Sequence, residues 1–156
     1  MPKKKPNQAK QISNRRARHD YDLGDGLLTG IALTGAETKS LRRGHGQLRG
    51  AYVTVKDNEI WLINATISSS PGIEISESDQ TRPRKLLAKR KEIDELIAAK
   101  QQGRTVVPLE ILTRGRYIKV RVAAGKGKKL YDKRADLKKR DEQRSMQSAV
   151  KQSLNR

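Results

Sequence analysis

Charge is distributed so unevenly along this chain that only its middle can bury a core. Of a net charge of +18, residues 1–18 carry +7 with no acid at all, and residues 125–156 carry another +7. The 106 residues between them hold only +4. Like charges at this density repel and resist collapse, so the layout reads as a basic arm at 1–13, a folded unit at 14–124 and a basic tail at 125–156. Basic arms on a near-balanced globule favour nucleic acid as the partner, with an anionic membrane second. The core must rest on Leu, Ile, Val and Ala, because the chain has no Phe, one Trp and four Tyr. No apolar run approaches the ~18 residues of a membrane span, and no apolar segment follows Met1-Pro2-Lys3-Lys4-Lys5, so a secretory signal is not expected. The absence of Cys excludes disulfides and thiolate metal sites and fits a reducing, cytoplasmic setting.

Within the middle, short apolar runs alternate with turn residues. Tyr21 and Leu23 alternate with Asp20, Asp22 and Asp25, and Leu27 to Leu33 reads as a second strand with a bulge or bend at Gly30. Thr34 and Glu37 have capping-box spacing, which predicts a short helix ending near Gly44. Gln47–Lys56 and Glu59–Ile63 flank Asp57-Asn58 as a hairpin. A polar loop runs from Ser68 to about Thr81, and a longer helix is expected from near Pro83 to Gly103, carrying Leu86, Arg90, Ile93 and Ile97 on one stripe. A second hairpin joins Thr105–Leu112 to Tyr117–Ala124. Six or so short strands with two or three peripheral helices predict a small antiparallel barrel of the OB type.

The tail opens with Gly125-Lys126-Gly127-Lys128-Lys129-Leu130-Tyr131-Asp132-Lys133-Arg134, five cations around one ring after two glycines that loosen the backbone. Cations neutralise phosphates and an aromatic face stacks on an unpaired base. If helical from Asp132, Met146, Ala149, Val150 and Leu154 form a narrow apolar stripe, while crowded cations make the isolated helix marginal. The tail is therefore expected to be disordered when free and to order against RNA.

Four strings in order carry a resemblance: Asn14-Arg15-Arg16-Ala17-Arg18-His19-Asp20-Tyr21; Gly30-Ile31-Ala32-Leu33-Thr34-Gly35 with Glu37 and Lys39-Ser40-Leu41-Arg42; Arg82-Pro83-Arg84-Lys85-Leu86-Leu87; and the tail segment above. Together they resemble the SsrA-binding protein family, also called small protein B, from about Asn14 to Arg140. The resemblance implies an OB-like barrel that binds the tRNA-like part of transfer-messenger RNA and delivers it, with elongation factor Tu, to stalled ribosomes in trans-translation. It places Asn14, Arg15, Arg16, Lys85 and Leu87 at the transfer-messenger RNA. It places Lys126, Lys128, Lys129, Tyr131, Asp132, Lys133 and Arg134 at the small-subunit decoding centre, with the tail in the mRNA channel. One departure is Leu28, where many relatives carry an RNA-binding glutamate.

An enzymatic role is not expected. His19 and Asp20, read as strand neighbours, would point to opposite faces. His45 has no second His at metal-ligand spacing, and the glycine-lysine string lacks the spacing of a phosphate loop. No cofactor is expected, and a monomer is. The alternative reading is a structural ribosomal protein held permanently on rRNA.

Overall fold

The computed structural model describes residues 12–154. In chain order the elements are β1 (Ile12–Ser13), α1 (Arg15–Asp20), β2 (Tyr21–Ile31), α2 (Gly35–Arg42), β3 (Gly46–Gln47), β4 (Tyr52–Lys56), β5 (Glu59–Ile63), β6 (Thr66–Ile67), α3 (Glu77–Gln80), β7 (Arg84–Leu87), α4 (Arg90–Gln101), β8 (Thr105–Leu112), β9 (Lys119–Gly127) and α5 (Leu130–Leu154). Antiparallel pairing runs β8-β4-β5-β7-β2-β9, and β9 pairs again with β8, so six strands close into a ring. Closure removes the exposed edges that invite aggregation. β1 adds to β8 beside β4, and β3 pairs with β6 as a separate ribbon. The expected mainly antiparallel β architecture is what forms; of the arm read at 1–13, residues 1–11 lie outside the described residues, while Ile12 and Ser13 are not arm but form β1, held by pairing with β8 and by burial of Ile12.

Alternation explains the ring. Val53, Ile60, Leu62, Leu86, Val106, Val120 and Val122 point inward with Leu41 and Leu48, each almost fully buried. Each such side chain contributes about 1.5–3 kcal/mol relative to exposure. The β4–β5 hairpin turns at Asp57 and Asn58, both left-handed at φ 53° and 57°, as a two-residue turn matched to strand twist requires. Thr34 caps α2 as expected: its Oγ1 accepts from the Glu37 N–H at 3.3 Å, and its own N–H donates to Glu37 Oε2 at 2.9 Å.

Several expectations fail for identifiable reasons. The helix expected from near Pro83 begins only at Arg90; Arg84–Leu87 is a strand, because Arg84 and Leu86 are two residues apart and both fully buried. Of the stripe, Leu86 lies in that strand while Arg90, Ile93 and Ile97 fall in α4, whose buried residue is Leu96. Tyr21–Ile31 is one strand, not two, and its irregularity lies between Leu23 and Gly26; Gly30 is regularly paired with Leu87. Gln47–Lys56 splits into β3 and β4. His19 and Asp20 end a helix rather than sit in a strand, and their side chains meet at 3.0 Å. Gly125 does not loosen the chain: it lies in β9, and a Cβ there would stand 2.4 Å from the Asp22 carbonyl oxygen. The sheet thus runs on through Gly127, past the boundary read at 124.

Candidate nucleic-acid interface

Three groups of candidate residues occupy three places. Asn14 is tied to the barrel, its N–H donating to Leu109 O at 2.7 Å and its side-chain amide to Pro108 O at 3.1 Å. It stands at the start of α1 without capping it, so its structural duty is to hang the helix on β8. Arg15 and Arg16 are then exposed on α1. Arg16 and Arg49 line one cleft with Tyr21 and Tyr52, and Arg15 joins both in the cleft beside it. Sequence reasoning missed Arg49 and Tyr52. Their signal was a lone Arg in a turn and a strand ring left 44% exposed, neither readable without the fold.

Lys85 and Leu87 lie on β7 and line neither cleft. Leu87 is 51% exposed and pairs with Gly30. Leu28, two residues from Gly30, is exposed on the same side of β2, diagonal to Leu87. Lys85 Nζ holds Glu59 at 2.6 Å, with both side chains over a third exposed, so RNA phosphates can compete for that ammonium.

The string Arg82-Pro83-Arg84 is not RNA-facing in the way its charge implies. Arg84 is fully buried and spends every guanidinium N–H inside the protein: Nε on Glu37 at 2.9 Å, Nη1 on the carbonyls of Ala65 and Arg82, Nη2 on those of Asp79 and Gln80. Arg82 grips the same carboxylate through Nε at 2.9 Å and Nη2 at 2.7 Å. Burial pushes the Glu37 carboxyl up, but Arg82, the Thr34 N–H and Arg84 together outweigh it and hold it below the ordinary carboxylate range. This network pins α2 to the strand that displays Lys85 and Leu87.

The tail cations start from a different position. The Lys128 N–H donates to Asp20 O at 2.8 Å, and its Nζ reaches Asp136 at 2.5 Å and Arg18 O at 3.2 Å. Lys133 Nζ lies 3.3 Å from the Asp20 carboxylate that His19 also meets. The His19 contact, with help from Lys133, lowers the Asp20 pKa; Lys128 lowers that of Asp136. Lys126, Lys129 and Arg134 are exposed, Asp132 is half-buried, and Tyr131 is 65% exposed with Lys129 Nζ 5.9 Å from its ring centre. α5 begins at Leu130, ahead of Tyr131, and buries no residue.

A closed β-ring that displays cations and open rings on its outer surface, and carries a long basic helix, defines a nucleic-acid-binding barrel. The family model described as SmpB protein matches residues 11–152. The chain is 44% identical over 146 residues to the SsrA-binding protein of Roseiflexus sp. (strain RS-1), covering 92% of each. It is 46% identical over 142 residues to that of Protochlamydia amoebophila (strain UWE25), covering 90% of this chain and 93% of the relative. Among solved structures, a chain of "tmRNA-SmpB: a journey to the center of the bacterial ribosome" aligns with TM-score 0.64 and 38% identity over 77% of this chain and 85% of that one. The chain belongs to the SsrA-binding protein family. Among the described residues, no helix is long and apolar enough to cross a membrane.

Proposed function

We propose that this protein is a non-enzymatic adaptor that binds the tRNA-like domain of transfer-messenger RNA through its barrel and brings it to ribosomes stalled without a stop codon. Family membership with near-complete coverage carries the reading. The barrel contributes Arg15, Arg16, Lys85 and Leu87, with Asn14 holding α1 in place. The tail contributes Lys126, Lys128, Lys129, Lys133 and Arg134 to rRNA phosphates in the empty decoding centre, Tyr131 to a base and Asp132 to a donor edge. α5 has no buried side chain to support it, so it gains full helical order against RNA in the mRNA channel. The protein works in the cytoplasm as a monomer within a complex that includes elongation factor Tu.

The division of labour is testable by truncation. Because β9 reaches Gly127 and the Lys128 N–H is bonded to Asp20, the cut belongs after Lys128. The shortened protein is expected to hold transfer-messenger RNA with affinity within about three-fold of the full chain and to lose tagging on stalled ribosomes. A collapse of RNA affinity, measured by filter binding, would sink the assignment of that RNA to the barrel.

A further inference from the structure

We propose that the loop joining β8 to β9 is a further RNA-gripping element. Tyr117 in the loop stacks an unpaired base, and Arg114, Arg116 and, at the start of β9, Lys119 hold neighbouring phosphates of the same transfer-messenger RNA that the β7 face binds. The inference rests on the adaptor reading above and names a contact that reading does not include.

The sequence already isolates this stretch: no acid occurs between Glu110 and Asp132. Among the described residues, Arg114, Arg116 and Lys119 enter no ion pair. Tyr117 is 68% exposed, and the Arg116 guanidinium lies 5.4 Å from its ring centre. The ring therefore meets a cation on one side and leaves the rest of its surface open to a base. The loop is also held in shape. Arg42, at the end of α2, donates through Nη2 to the carbonyls of Gly115 and Arg116, each at 3.1 Å. A connector with no ligand does not need such a clamp, whereas a preorganised grip loses less entropy on binding.

Register decides which RNA. Lys119 pairs with Leu112 on one side and Gly30 on the other, and Gly30 pairs with Leu87. Lys119 and Leu87 are both exposed, so they rise from one row with Gly30 between them, the Leu87 side chain closing over the glycine. Tyr117 lies two residues before Lys119, in the loop that leads into β9. The tail leaves from the other end of β9, about 30 Å away along nine residues at ~3.3 Å each. The loop thus extends the β7 face and not the tail.

The test uses the full chain, the tRNA-like domain of transfer-messenger RNA and, separately, salt-washed ribosomes. Tyr117→Ala is expected to weaken binding of that domain roughly ten-fold, as removing a stacked ring does, while Tyr117→Phe keeps it. Replacing Arg114 and Arg116 together by Gln is expected to flatten the salt slope by roughly one to two units. Unchanged affinity for Tyr117→Ala, with the wild type binding normally, overturns this contact and leaves the adaptor reading standing. Failure of the wild type to bind the domain overturns both. A loss confined to ribosome binding overturns the assignment to transfer-messenger RNA.

Discussion

Two ionic networks in this molecule use the same chemistry to opposite ends. Around Glu37, the carboxylate and Arg84 are sealed in the barrel wall, each at most 1% exposed, while Arg82 closes the cluster from a position 32% exposed. Around Asp20 and Asp136, Lys128 and Lys133 make ion pairs at a surface, where every partner keeps 18% or more of its side chain in water. Low dielectric makes a buried pair rigid, and its loss leaves a stranded charge. High dielectric makes a surface pair weak and replaceable. The first network fixes the strand that displays Lys85 and Leu87; the second leaves tail cations in weak, exchangeable pairs.

Glu37→Gln should break the contrast most severely. It strands Arg84 inside the barrel wall, and the expected cost is about 3–5 kcal/mol of folding stability by urea denaturation; a loss well under 1 kcal/mol would show the network to be ornamental. A titration sharpens the same point. The Glu37 carboxyl sits below its ordinary value, so its contribution is complete above the ordinary carboxylate range and fades as pH falls through its lowered folded pKa. The wild type should lose stability steeply on acidification, and Glu37→Gln should show a shallower acid limb. Parallel limbs would place the acid sensitivity elsewhere. The smallest effect belongs to the surface. Asp136→Asn should leave Tm unmoved and modestly raise affinity for stalled ribosomes by freeing Lys128; a clear drop in Tm would mean that the tail junction is structural.

The β-ring was legible because Val53, Val55, Ile60 and Leu62 alternate around an Asp-Asn turn, a local signal that needs no partner. α2 was legible because Thr34 and Glu37 satisfy each other's backbone within four residues. The segment at 84–87 was misread, because Leu86 fits a helical stripe as well as a strand and only its pairing with Ile31 settles the matter. The burial of Arg84 was not legible, for a related reason. Its five acceptors come from Glu37, Ala65, Asp79, Gln80 and Arg82, and a basic string gives no hint of which cation turns inward. The recognition strings named the family, yet they mixed scaffold with surface: Asn14 anchors α1 and Gly125 admits a close backbone.

By itself, the sequence determined where charge would deny a core, where strands would alternate, and which family the chain joins. Those properties follow from composition, period-two patterning and local capping, all short-range. Only the tertiary structure decided which charges are spent and which are available. It buried Arg84, paired Lys85 with Glu59, parked Lys128 and Lys133, and left Arg114, Arg116 and Tyr117 open in the β8–β9 loop. The reason is that a charge acquires its meaning from its surroundings, and these are assembled from residues far apart in the chain.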